Sequence, residues 1–238
     1  MQDLILTHKI TSYECGADQL LKPECFQLLC QEMAEEHAER NNLGYEWGKS
    51  NNKAWVQVQG NFEFLRRPTW KETVSMRTNT GAATALQARR FVEMTDESGN
   101  VIARADLLWV LIDITTRRPT AFRRVGLDIG DTCEQITSAL TEPEWPSEPA
   151  ATAEITASRR DVDFNVHINN SAYLIWALDT LPEEIKPAGS PVRYHITFRR
   201  ESHAGQQMTV AHYVSANYSR HIINSGEEVR AEIAIEWA

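Results

Sequence analysis

The residues whose types and spacing can do chemistry lie in Asp161–Tyr173, which reads D-V-D-F-N-V-H-I-N-N-S-A-Y. Asp161, Asp163, Asn165 and His167 bring two carboxylates, a carboxamide and an imidazole into one short run. Asp163, Asn165 and His167 fall at spacing two, so an extended segment would point all three to one side. Asn169 or Asn170 is expected to cap a helix through Ser171–Leu178, because a short side-chain oxygen satisfies the first free N–H groups. Such a helix start offers unpaired N–H groups and a positive dipole end to developing negative charge, as acyl transfer requires. D-x-N alone is ordinary turn chemistry and a lone His is usually structural. The weight falls on the whole run ending in an apolar helix.

The pattern D-x-D-x-N-x-H-x-N-N-x-x-Y resembles the catalytic run of the acyl-acyl carrier protein thioesterases. It resembles more loosely the N-terminal segment of single-domain hotdog acyl-CoA thioesterases. A second landmark, Phe198-Arg199-Arg200-Glu201-Ser202, is similar to that family's strand motif F/Y-R-R-E-C. The resemblance covers nearly the whole chain. It implies hydrolysis of fatty acyl-acyl carrier protein, releasing free fatty acid, with Asp163, Asn165, His167 and Glu201 as the catalytic group. On chemical grounds Glu201 and His167 are assigned to activating and orienting a water, a role worth about 10²–10⁴-fold. Asn165 would fix the imidazole or the water. Asp163 would either orient that network or attack the carbonyl to give a mixed anhydride. The N–H groups opening the helix near Asn169–Ala172 are the expected oxyanion donors. Ser202 departs from the family's Cys, and none of the four cysteines lies in either motif, so no thiol mechanism is expected. The readings from other classes are an acyl-CoA thioesterase and a non-catalytic hotdog acyl-binding protein. A hotdog hydratase would need an H-G motif that is not found here.

The elements that must position these residues repeat once. Ile5–Tyr13 reads as a strand, and Pro23–Leu43 as an amphipathic helix with Phe26, Cys30, Met33, Ala34 and His37 on its apolar stripe. Pro23 suits the first helical position and Gly44 the residue past the end. His37 is expected to be packed or hydrogen-bonded. Strands follow over Ala54–Phe64, with Val56, Val58, Phe62 and Phe64 sharing a face, then Glu72–Thr78, Ala83–Met94 and Val101–Ile114, with a hairpin turn at Asp96–Asn100. Residues 126–150 hold Pro143, Pro146 and Pro149 and read as a linker, with a short helical turn possible over Thr132–Leu140. The second half runs strand Thr152–Ser158, polar loop, apolar helix, a further turn capped at Thr180, then strands Val192–Glu201, Met208–Ser219 and Val229–Trp237, the last two joined by a turn at Asn224–Gly226. This predicts an α+β chain of two tandem hotdog domains, each an antiparallel sheet wrapped around a central helix: residues 1–125, a linker, and residues 151–238. Two such units in one chain can pair, so a monomer mimicking a dimer, or a homodimer, is expected. The first half's loop, Glu14–Gln19, has neither His nor D-x-N. That half is expected to shape the acyl pocket, with Trp109, Phe64 and Met33 as candidates, while the second does chemistry.

Composition sets the class. In 238 residues, 42% hydrophobic and 24% charged is an ordinary globular mixture with room for a sizeable core. A net charge of −9 argues against general nucleic-acid or anionic-membrane binding. No apolar run reaches spanning length, and the first residues lack a signal peptide's features. Nothing resembles the plastid transit peptide of plant members, so a bacterial cytoplasmic enzyme is expected. Cys15, Cys25, Cys30 and Cys133 show no metal-ligand spacing, so neither metal, cofactor nor disulfide is expected. The arginines come in adjacent pairs: Arg66-Arg67, Arg89-Arg90, Arg117-Arg118, Arg123-Arg124, Arg159-Arg160 and Arg199-Arg200. The family resemblance gives them a partner, an acidic acyl carrier protein.

Overall fold

The computed structural model describes residues 2–130 and 133–238. The chain divides into two compact units, Met1–Ser138 and Ala139–Ala238. In the first, strands β1 (Leu4–Lys9), β2 (Lys53–Phe64), β3 (Thr73–Ala82), β4 (Gln87–Thr95) and β5 (Val101–Asp113) form an antiparallel sheet in the order β1-β3-β4-β5-β2. Helix α1 (Pro23–Arg40) packs on it through Phe26, Cys30, Met33, Ala34 and His37, the stripe read from the sequence. Pro23 holds N1 as expected.

Other details differ. Helix α1 stops at Arg40 because the Asn41 amide turns back to the His37 carbonyl (2.8 Å) and Asn42 enters the left-handed region at φ 55°. Gly44 instead precedes a second short helix, α2 (Tyr45–Ser50). A side chain there would run into Glu39, whose carboxylate takes the Tyr45 N–H at 2.8 Å. In β2 a bulge between Gln57 and Gln59 skips Val58 and switches faces. Val56 and Val58 are therefore only half-buried, while Gln57, Phe62 and Phe64 are buried. Residues 133–140 form no helix, and Thr132 lies outside the described residues. The stretch from Gly126 to Ser138 belongs to the first unit: Ile129 joins a core with Ala88, Leu111 and Phe122. Asp106 accepts the N–H groups of Ile136 (3.0 Å) and Thr137 (2.7 Å).

The second unit comprises β6 (Ala151–Thr156), α3 (Asn170–Asp179), β7 (Pro191–Phe198), β8 (Gln207–Ser215), β9 (Tyr218–Ser225) and β10 (Glu228–Trp237), its antiparallel sheet ordered β7-β10-β9-β8-β6. Two strands, β8 and β9, replace the expected single one, separated by a turn at Ala216 (φ 52°). Helix α3 is enclosed as its apolar run Ala172–Leu178 requires, with Ala172, Tyr173, Leu174, Trp176 and Ala177 buried. Thr180 closes this helix rather than opening another, its hydroxyl donating to the Trp176 carbonyl at 2.6 Å.

Thr180 also ends a buried relay. Trp237 Nε1–H donates to Ser219 Oγ (2.9 Å), and Ser219 donates to His221 Nε2 (2.9 Å). His221 Nδ1–H donates to His212 Nδ1 (2.8 Å), and His212 Nε2–H to Thr180 Oγ1 (3.2 Å). Thr180 gives its proton to the Trp176 carbonyl, so His212 Nε2 carries the donor, and burial keeps both imidazoles neutral, which sets the remaining directions.

Candidate active site

The polar run is folded by its own side chains. Ser158 N–H and Oγ–H both donate to Asp161 Oδ2 at 2.8 Å, closing a capping box on a short 3-10 turn. Asp161 is thus a local cap rather than a reactive group. Val162 and Ile168 then pair across a closed loop. Within it Asp163 N–H donates to the His167 carbonyl (2.8 Å) and Val166 N–H to the Asp163 carbonyl (3.1 Å). Asp163 Oδ1 accepts the N–H groups of Asn165 (2.9 Å) and His167 (3.2 Å). Val166 takes φ 65°.

The expectation of an extended segment is therefore corrected: residues 163–167 are a tight Asx turn. Side chains do not alternate there, and Asp163, Asn165 and His167 owe their directions to the turn. Asn165 stands exposed on the turn, while Asp163 and His167 are half-buried.

Asn169 is the helix cap, accepting from Ser171 N–H and Ser171 Oγ, each at 2.8 Å. Ala172 N–H turns back to the Asn169 carbonyl (3.0 Å), and Asn169 N–H to the Asp161 carbonyl (2.7 Å). The cap thus occupies three of the N–H groups expected to stabilise an oxyanion. The positive end of α3 remains.

Glu201 lies past the end of β7, which stops at Phe198 rather than continuing through the motif. Arg230, at a bulge in β10, explains the break: its carbonyl accepts Arg199 N–H (2.8 Å) and its guanidinium donates to the Glu201 carbonyl (2.9 Å). The Ser202 carbonyl accepts Ile168 N–H (2.9 Å), fastening this loop to the polar turn. As a result Glu201 Oε2 reaches His167 Nε2 at 3.4 Å, each side chain about one-third exposed. Ser202 is 1% exposed and is core.

Sequence reasoning missed His203. Its ring centroid is 5.2 Å from that of His167, and it sits two residues beyond Glu201, just past the motif, which was the available signal. His167, Glu201 and His203 hold donor atoms within 4.8 Å of one another and are the described group able to meet a metal ion. The same groups equally serve acid–base chemistry.

The first unit contains the same device at one constant offset in numbering. Thr11 and Glu14 form the capping box (2.7 and 2.6 Å), Cys15 and Leu21 pair, Gly16 N–H meets the Leu20 carbonyl (3.0 Å), and Gln19 takes φ 62°. Where the second loop has Asp163, Asn165 and His167, this one has Gly16, Asp18 and Leu20. In place of the Glu201–His167 contact, Arg67 pairs with Asp18. The scaffold is duplicated; the Glu201–His167 pair is not, and the first unit's carboxylate–imidazole contact lies elsewhere, between the capping-box Glu14 and His8 (2.9 Å).

Of the arginine pairs, Arg66 bonds Glu72 and Asp96, Arg199 bonds Glu232, Arg200 bonds Glu228, and Arg90 is buried. Arg159 and Arg160, beside the polar turn, are exposed. Of the acyl-pocket candidates, Trp109 lines a cavity in the first unit, whereas Phe64 and Met33 are core. All four cysteines are free thiols.

Comparison with known proteins gives the class its name. Residues 6–125 match the acyl-ACP thioesterase N-terminal domain and residues 146–238 the C-terminal domain. The chain belongs to the acyl-ACP thioesterase family, with two tandem hotdog domains of α+β class. A chloroplastic acyl-[acyl-carrier-protein] hydrolase of Cuphea viscosissima is 27% identical over 207 residues, covering 81% of this chain and 50% of that protein. The chain spans about half the length of the curated relatives it matches. An acyl-ACP thioesterase structure from Bacteroides thetaiotaomicron superposes with TM-score 0.85 at 22% identity, covering 99% of this chain and 98% of that one. The 12:0-ACP thioesterase from Umbellularia californica gives 0.84 at 23% identity, covering 99% and 97%. Among the described residues no helix is long and apolar enough to cross a membrane.

Proposed function

We propose that this chain hydrolyses the thioester of fatty acyl-acyl carrier protein, releasing a free fatty acid and the carrier's phosphopantetheine thiol. The observation that carries the reading is the His167–Glu201 contact at 3.4 Å beside the α3 N-terminus, in the unit that matches the family's C-terminal domain. Glu201 and His167 together take a proton from water as its oxygen attacks the carbonyl carbon. The positive end of α3 favours the charge that develops on the carbonyl oxygen. As the C–S bond breaks, the imidazolium returns the proton to the thiolate. Asp163 sets the turn that aims His167 by accepting two backbone N–H groups. Asn165 is assigned to the water or the entering pantetheine, since it stands exposed on the turn. The first unit is assigned to the acyl chain.

The family name supports acyl carrier protein as donor, and the exposed Arg159-Arg160 pair suits an acidic partner. We infer a cytoplasmic setting, with the chain acting as a monomer or a homodimer. The test is direct: purified protein is given C8 to C18 acyl chains on acyl carrier protein and on CoA, and free fatty acid is measured. Release from the carrier faster than from CoA is expected. Release from CoA alone would make it an acyl-CoA thioesterase, and release from neither would make it an acyl-binding protein.

A further inference from the structure

Three ligand-type side chains of the second unit meet where two loops are pinned together. The Ile168 N–H donates to the Ser202 carbonyl at 2.9 Å, so His167 stands on one side of that bond, and Glu201 and His203 flank the other. Ser202 is buried, whereas Glu201 is half-buried and His203 is exposed. Each ligand's backbone is also held separately. His167 N–H donates to the Asp163 carboxylate (3.2 Å), the Glu201 carbonyl accepts from Arg230 (2.9 Å), and His203 N–H donates to Gln206 Oε1 (2.9 Å). No metal-ligand spacing shows in the sequence because the ligands come from two loops far apart along the chain.

The distances suit one small cation. With Zn–N and Zn–O bonds of about 2.0–2.2 Å, two ligand atoms of a tetrahedral zinc lie about 3.4 Å apart. His167 Nε2 and Glu201 Oε2 are already 3.4 Å apart. The His203 donor atom lies within 4.8 Å of both, and its side chain is exposed, so turning the ring brings the third atom into range. The Val166 carbonyl lies 3.5 Å from His203 Nδ1, the kind of outer contact that a metal-bound imidazole makes through its second nitrogen. Two imidazoles and one carboxylate form a nitrogen–oxygen set that suits zinc, whereas calcium and magnesium ask for oxygen ligands. Three protein ligands leave the fourth position to water. The chain's net charge of −9 favours a divalent cation.

We propose that His167, Glu201 and His203 form a zinc site, and that Zn²⁺ bound there inhibits hydrolysis. The metal occupies the lone pairs of the two groups that take the proton from water. The binding stands on the geometry alone; the inhibition rests on the thioesterase reading.

The test titrates the full wild-type chain, freed of metal by a chelator, with Co²⁺ and then with Zn²⁺. One equivalent of Co²⁺ is expected to give the visible d–d bands of four-coordinate cobalt without the near-ultraviolet charge-transfer band of a thiolate ligand, and Zn²⁺ to displace it. In His203→Ala the Zn²⁺ affinity, read by competition with a chromophoric chelator, is expected to fall about tenfold or more, since even an outer partner of a ligand is worth that much. The Zn²⁺ concentration that halves that variant's own hydrolysis rate should rise by the same factor. His8→Ala, which breaks the first unit's His8–Glu14 contact (2.9 Å), is expected to leave the affinity unchanged. No stoichiometric binding, a thiolate band, unchanged affinity in His203→Ala or an equal loss in His8→Ala would overturn the site. Unchanged or faster hydrolysis by wild type saturated with Zn²⁺ would overturn the inhibition. A chain that binds Zn²⁺ through His203 yet hydrolyses no thioester would uphold the site while overturning both the inhibition and the thioesterase reading.

Discussion

Acid should unfold this protein through two histidines remote from the proposed chemistry. In the Trp237–Ser219–His221–His212–Thr180 relay both imidazoles are fully buried, so a further proton on either ring places an unpaired charge in the core. Burial, with His212 beside it, lowers His221 from 6.5 to about 3, and burial lowers His212 as well. Between pH 6.5 and 3 the unfolded chain therefore binds more protons than the folded one. The stabilisation is complete above pH 6.5 and is lost as pH falls through that window. For His221 alone, linkage gives about 2 kcal/mol lost between pH 8 and pH 5, rising towards about 5 kcal/mol near pH 3. The assay is urea unfolding at pH 8, 6 and 5, comparing wild type with His221→Gln, whose amide can still donate to His212. The wild type should lose about 2 kcal/mol more than the variant over that range. Because Thr180 closes α3, activity should fall along with stability. Equal losses in the two proteins, or an imidazole of His221 titrating near 6.5 in the native state, would refute the reasoning.

Three further outcomes follow from the loop. Asn169→Ala removes the α3 cap and should cost about 1 kcal/mol in denaturant unfolding, with turnover falling further than stability explains. Asp163→Ala removes the acceptor of two backbone N–H groups; amide exchange at Asn165 and His167 should accelerate and turnover should largely vanish in a folded protein. Arg159→Glu with Arg160→Glu should raise KM for acyl carrier protein substrates more than for the matching acyl-CoA, while an equal rise would remove the pair from carrier docking.

The stripe of α1, the apolar envelope of α3, the Asn169 cap and the duplicated architecture were legible because periodicity and capping are local properties. The bulge at Val58 was not, since alternation looks unbroken until the pairing with β5 passes over that residue. The division of Met208–Ser219 was hidden because Ala216 and Asn217 are weak turn signals between two apolar runs. At the site, residue types gave the chemistry but not its geometry. The spacing of Asp163, Asn165 and His167 suits a strand equally, and only the Asp163 carboxylate's bonds to Asn165 and His167 N–H make it a turn. The Glu201–His167 contact came from the family resemblance, and His203 was passed over because it lies outside the quoted motif. Arg90 read as one of a surface pair; its burial depends on the face of β4 turned towards α1.

The central claim is that Glu201 and His167 act together on water. Single-turnover hydrolysis of one long-chain acyl-acyl carrier protein by wild type, Glu201→Gln, His167→Gln and the double variant tests it most directly. Each single change should slow the chemical step about 10²–10⁴-fold, with the double variant little worse than either, as for two groups serving one proton transfer. Near wild-type rates in a folded Glu201→Gln protein, or losses that multiply in the double variant, would contradict it.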